Sequence, residues 1–168
     1  MHILFVDDSR LWQKIALLKL PTIGCTVAVA SDGQQALDYL SAPPEKWPRP
    51  DLIMMDIAMP VLGGLDATRI IRTQPPFATD PKICSTPIVG LCATSVRRSH
   101  ERFRAQGMDD IIVKPWKVEQ IQPLLRWWAQ RRVVPRAMVG GGGVVQRSAM
   151  NHKWPHPWAA YRGPRSRI

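Results

Sequence analysis

The segment Asp51-Leu52-Ile53-Met54-Met55-Asp56-Ile57-Ala58-Met59-Pro60 decides the fold. Four consecutive apolar residues, Leu52 to Met55, read as a strand buried on both faces, because a half-exposed strand would alternate apolar and polar side chains. The run ends on a carboxylate. A charge at the end of a buried strand is costly unless compensated, so Asp56 implies a cation or a phosphoryl group meeting it at the strand's carboxyl end. Two further apolar runs do the same: His2-Ile3-Leu4-Phe5-Val6 leads into Asp7-Asp8, and Ile111-Ile112-Val113 into Lys114-Pro115. Three strands thus carry three acids and one lysine to one sheet edge, the constellation of a metal and phosphate site.

Outward from this segment the chain alternates strand and helix. Ser9 is placed to cap a helix from Arg10, with Leu11, Ile15 and Leu18 as its apolar stripe and Pro21 as its stop. Cys25 to Ala30 is a β-branched second strand, Ser31-Asp32-Gly33 a turn, and Gln34 to Leu40 a short helix. Residues 42–50 are too proline-rich for either element and form a loop. Leu65 to Arg72 is a third helix, followed by a loop through Asp80-Pro81 to Thr86-Pro87; Ile88 to Ala93 is the fourth strand. Arg97 to Gln106, closed by Gly107, is the fourth helix and Ile111 to Val113 the fifth strand. Val118, Ile121, Leu124, Leu125 and Trp128 mark the fifth helix, which either starts near Ile121 or kinks there, since Pro123 costs about 3 kcal/mol in a helix interior. Five alternations with short crossovers imply a parallel sheet wound by helices on both faces, with its ligand edge at Asp7, Asp8, Asp56, Cys92 and Lys114.

The 168 residues fit one domain, 1–130, with a tail, 131–168. The net charge of +10 is uneven: residues 1–130 hold 15 Lys/Arg against 13 acids, a net of +2, and the tail holds 8 and no acid, a net of +8. With Gly140 to Gly143 and no apolar period, the tail reads as disordered, and its charge with Trp154, Trp158 and Tyr161 allows at most weak, salt-sensitive contact with nucleic acid or acidic lipid. No apolar run reaches the roughly 20 residues that span a bilayer, and the start lacks a secretory signal, so the expected location is cytoplasmic, with the nucleus also open. Cys25, Cys84 and Cys92, odd in number and without CxxC spacing, argue against a disulfide framework and a structural zinc site.

Three motifs in this order, Val6-Asp7-Asp8-Ser9, Met55-Asp56-Ile57-Ala58-Met59-Pro60 followed by Gly63-Gly64, and Met108-Asp109-Asp110-Ile111-Ile112-Val113-Lys114-Pro115, resemble the response-regulator receiver domain of two-component and phosphorelay signalling over about residues 2–130. The resemblance implies a flavodoxin-like (βα)5 fold with strand order 2-1-3-4-5. It implies that Asp56 is the phosphoacceptor for a histidine kinase or phosphotransfer protein. It further implies that Asp8, Asp56 and the Ala58 backbone carbonyl ligate Mg²⁺, with Asp7 acting through water, that Lys114 pairs with the phosphoryl oxygens, and that Lys114-Pro115 is cis. The physical chemistry agrees: phosphoryl transfer needs positioning and charge stabilisation, Mg²⁺ prefers carboxylate and water oxygen, and clustered carboxylates need a cation.

Two positions depart from the pattern. Cys92 stands where the family carries the Ser or Thr that bonds the phosphoryl group, and a thiol is a weak donor. Thr94, two residues on, is an alternative hydroxyl. Ile111 occupies the aromatic switch position three residues before the lysine. The resemblance places output, or a homodimer contact, on the face of the fourth helix, fifth strand and fifth helix, where Arg97, Arg98, Arg102, Arg104, Lys117 and Arg126 lie. Two readings stand beside the phosphoacceptor: a phosphorylation-independent interaction module, on account of Cys92 and Ile111, and a nucleic-acid binder through the tail. A turnover enzyme is not expected, because no glycine loop cradles a phosphate and the transfer is self-directed.

Overall fold

A computed structural model of the chain describes residues 1–93 and 100–130. Five parallel strands, β1 (His2–Val6), β2 (Thr26–Ala30), β3 (Leu52–Asp56), β4 (Ile88–Cys92) and β5 (Asp110–Val113), are ordered β2-β1-β3-β4-β5. All five residues of β3 and of β4 are buried, the terminal Asp56 included, as expected of inner parallel strands built on apolar runs. Register aligns Val6 with Met55, Asp56 with Leu91, and Cys92 with Val113, so the three residues Asp7, Asp56 and Lys114 leave the sheet along one edge.

The helices are α1 (Arg10–Lys19), α2 (Gly33–Ser41), α3 (Gly64–Thr73), α4 (Pro81–Ser85), α5 (His100–Ala105) and α6 (Val118–Gln130). The fourth and fifth helices of the sequence reading are therefore α5 and α6. Between α3 and β4 the structure holds a helical turn, α4, where a loop is expected. Asp80 caps it by accepting from the Lys82 and Ile83 N–H groups, and Pro81 takes the first position, where a missing N–H costs nothing. The last helix runs from Val118 through Pro123 without a late start. Trp127 and Trp128 are both partly buried and pack edge-on at 4.6 Å.

In α1 the apolar stripe is corrected. Leu11 and Leu18 are 66% and 71% exposed, whereas Ala16 and the capping Leu20 are fully buried and Trp12 is partly so. The inward row is 12, 16, 20, about 100° round the helix from the row through Leu11.

The proline-rich loop is tied down by two side chains. Arg49 donates to the Leu40 and Ala42 carbonyls, and the Tyr39 hydroxyl donates to the Pro48 carbonyl. The buried Arg72 guanidinium donates to the Gly107 carbonyl (3.0 Å), the Cys84 carbonyl (2.7 Å) and the Asp109 carboxylate (2.8 Å), and Asp109 also accepts the Ile88 N–H. This clamp fixes α3 against the entries to β4 and β5.

Candidate functional site

The turn after β3 is set by close backbone approach. A Cβ on Gly64 would lie 2.0 Å from the Asp56 carbonyl oxygen, so only glycine lets the first turn of α3 sit on the phosphoacceptor candidate. The Gly64 N–H donates to the Ile57 carbonyl (3.1 Å), and the Gly33 N–H to the Leu62 carbonyl (2.9 Å), which joins this loop to α2. Val61, at the loop's tip, has φ 65° and is 85% exposed, a strained backbone for a β-branched residue.

At the mouth of the sheet, Lys114 Nζ lies 2.6 Å from Asp7 Oδ2 and 2.7 Å from Asp56 Oδ2. Asp7 is fully buried; its Oδ1 accepts the Ser9 N–H, and its Oδ2 pairs with the Lys114 ammonium. Asp56 is 7% exposed and Asp8 is exposed. One carboxylate oxygen from each of Asp7, Asp8 and Asp56 lies within 4.8 Å of the others. The Lys114-Pro115 bond is cis. Gln13 fastens α1 behind the cluster by donating to the Asp7 carbonyl and the Ser31 hydroxyl.

The electrostatics are those of a site with surplus negative charge. Burial pushes the Asp7 carboxyl above its ordinary value, against the pull of Lys114 and the Ser9 N–H. For Lys114 burial acts to lower the ammonium, but the hydrogen bonds and charges of Asp56 and Asp7 outweigh it and the value is raised. In a simple pair the acid would fall as the base rises. Here Asp7 rises too, because one lysine does not compensate its burial, and the firm result is that Lys114 is held charged. Oxygens around one Mg²⁺ stand roughly 2.9–4.2 Å apart, from bond lengths of about 2.1 Å, so this carboxylate triad is of the right size and charge for it.

Cys92 ends β4, is buried, and its carbonyl accepts the Lys114 N–H at 2.7 Å. Ala58 is exposed in the loop after Asp56. Ile111 is buried within the core cluster and pairs with Gly90. Thr94, Arg97 and Arg98 lie outside the described residues, as does the tail, residues 131–168, with the disorder and nucleic-acid contact expected of it; Arg102, Arg104, Lys117 and Arg126 are exposed. Sequence reasoning missed two aromatic residues beside the lysine. Trp12 has its ring centroid 5.8 Å from Lys114 Nζ, and the buried Trp116 packs on Trp12. The position of Trp116, directly after Lys114-Pro115, was the available signal.

The fold and site together define a class of protein. The chain belongs to the response regulator receiver domain family, whose model matches residues 3–126. Transcription factor SKN7 of Saccharomyces cerevisiae is 33% identical over 132 residues, 79% of this chain and 19% of that protein. Hybrid signal transduction histidine kinase I of Dictyostelium discoideum is 34% identical over 113 residues, 67% of this chain and 6% of that protein. The chain thus spans less than a fifth of the length of these relatives. Among solved structures, the receiver domain of a sensor histidine kinase from Pseudomonas aeruginosa, with a magnesium ion coordinated in its active site cleft, is 32% identical with a TM-score of 0.62, covering 76% of this chain and 95% of that one. The chemotaxis response regulator CheY4 of Vibrio cholerae gives a TM-score of 0.62 at 27% identity, covering 76% and 97%. Among the described residues no helix is long and apolar enough to cross a membrane.

Proposed function

We propose that this receiver, residues 1–130, accepts a phosphoryl group on Asp56 from the phosphohistidine of a histidine kinase or histidine phosphotransfer protein. The observation that carries the reading is the lysine bridge: one ammonium within 2.7 Å of both Asp7 and Asp56, beside Asp8, at the carboxyl edge of the sheet. An Asp56 carboxylate oxygen attacks phosphorus, the P–N bond breaks, and the electron pair leaves with the imidazole. Lys114, held charged, offers its N–H donors to the phosphoryl oxygens as a mobile point charge. Asp8 and Asp56, with the Ala58 carbonyl and with Asp7 through water, would hold Mg²⁺, which supplies positive charge where the phosphoryl oxygens gather it. Gly64 keeps Asp56 at the strand end by allowing α3 to pack on its carbonyl. The reaction is self-directed and needs no turnover on an outside substrate. Output is assigned to the face of α5, β5 and α6, whose exposed Arg102, Arg104, Lys117 and Arg126 suit an acidic partner.

Incubation with acetyl phosphate and Mg²⁺ should yield an acyl phosphate on Asp56 that is lost with Asp56→Asn and suppressed by chelator. Modification indifferent to Asp56→Asn would refute the assignment. A second reading, a module whose partner binding ignores phosphorylation, is favoured by the buried Cys92 and Ile111, which offer neither hydroxyl nor ring to a switch. Amide exchange in α5 distinguishes them: a change on adding beryllofluoride and Mg²⁺ removes the second reading, and no change supports it.

A further inference from the structure

Lys114 has a flexible side chain, and the carboxylates that hold its ammonium are the groups that a divalent ion and a phosphoryl group would engage. Another contact must keep the ammonium at the cleft while those partners exchange. Trp12 lies where it can do so, its ring centroid 5.8 Å from Lys114 Nζ. Its indole stands against Trp116, centroids 5.7 Å apart and planes inclined by 32°. Trp116 is 4% exposed and meets Phe5 edge-on at 6.0 Å and 63°. Phe5 is fully buried in β1, two residues before Asp7. The row of rings therefore starts on the strand that bears Asp7 and ends at the lysine. A cation within about 6 Å of an indole face is attracted by the ring quadrupole, more strongly as water is excluded, and the Lys114 side chain is only 11% exposed.

We infer that Trp12 is a positioning residue for phosphoryl transfer: its indole, braced by Trp116 and Phe5, keeps the Lys114 ammonium at the Asp7, Asp8 and Asp56 cluster while its carboxylate partners change. The inference rests on the reading of Asp56 as phosphoacceptor. Trp12 acts through Lys114 and touches no reacting atom, and a ring serving only to fill space would affect stability but not rate.

The test uses the full chain with Trp12→Leu, which keeps an apolar side chain without a π face, and Trp12→Phe, which keeps the face. Acyl-phosphate formation is followed against acetyl phosphate concentration in Mg²⁺. Trp12→Leu should lower the saturating rate about three- to tenfold with an unchanged half-saturating concentration, and Trp12→Phe should restore most of it. In lysine-labelled protein, the Lys114 ε-methylene protons should be shifted upfield by the ring in wild type and Trp12→Phe, and return to the ordinary lysine position in Trp12→Leu. A Trp12→Leu protein at wild-type rate, a Trp12→Phe protein as slow as Trp12→Leu, or an unshifted Lys114 in wild type would each overturn the inference. If wild type takes no phosphoryl group, the reading of Asp56 fails, while the proton shift still decides whether Trp12 holds Lys114. Should Trp12→Leu unfold, Trp12→Met makes the same comparison.

Discussion

Replacing Lys114 with methionine, of similar length, removes the ammonium while keeping most of the packing. It leaves Asp7, fully buried, and Asp56, 7% exposed, facing each other with oxygens within 4.8 Å and no cation between them. Two like charges at that separation, in an effective dielectric near 20, repel by roughly 3.5 kcal/mol. Removing one partner of a buried pair typically costs about 3–5 kcal/mol, and the repulsion, present with or without Lys114, is then no longer offset, so a loss of about 3 kcal/mol or more is expected. Urea unfolding with a chelator present should show it as a lower midpoint with an unchanged slope. The same melts in Mg²⁺ supply the control. A more negative site binds the ion more tightly and gains more from it by mass action, so the gap between variant and wild type should narrow by at least half. Adding Asp7→Asn to Lys114→Met should likewise recover stability in chelator, because it removes the charge left stranded. A loss below about 1 kcal/mol in chelator, or a gap that Mg²⁺ leaves unchanged, would refute the view that one lysine and one ion share the task of neutralising this cluster.

Two further outcomes are expected. Val61→Asn should raise stability by about 1 kcal/mol, since asparagine tolerates the left-handed backbone at φ 65° and little packing is lost at a residue 85% exposed; an unchanged melting temperature would deny the strain. His2 is held below its ordinary 6.5, chiefly by burial, with ring nitrogens 2.9 Å from the Thr26 hydroxyl and 2.8 Å from the Tyr39 hydroxyl. With the folded value below the unfolded one, its contribution is present above about pH 6.5 and lost as pH falls through the folded value. Urea midpoints should therefore drop between pH 7.5 and 5, with a smaller drop in His2→Phe; equal drops would show that the slope comes from elsewhere.

The sheet was legible because inner parallel strands are written as unbroken apolar runs, and Asp56 and Lys114 were legible because charges at the ends of such runs need a reason. Helix α1 was not. Its leucines at 11, 17 and 18 and its Ile15 sit among Trp12, Ala16 and Leu20, so two rows about 100° apart satisfy the same spacing, and only the neighbouring strands decide between them. The short α4 was legible in principle, since Asp80-Pro81 is a capped helix start, but five residues carry no periodicity to support it. Trp12 escaped notice because its partners are 102 and 104 residues away, at Lys114 and Trp116, and nothing local distinguishes a core indole from one that faces a cation.

The hydrogen bond from the Lys114 N–H to the Cys92 carbonyl ties the last residue of β4 to the residue just beyond β5. Whatever side chain occupies position 92, the main chain there is a tether for the ammonium, so a displaced β4 terminus drags the lysine along. Misplacing a reacting group by an ångström can cost about a hundredfold in rate. In this chain, swapping the thiol for a bulkier group would accordingly register as an altered reach of the lysine, even where no hydroxyl was ever present to lose.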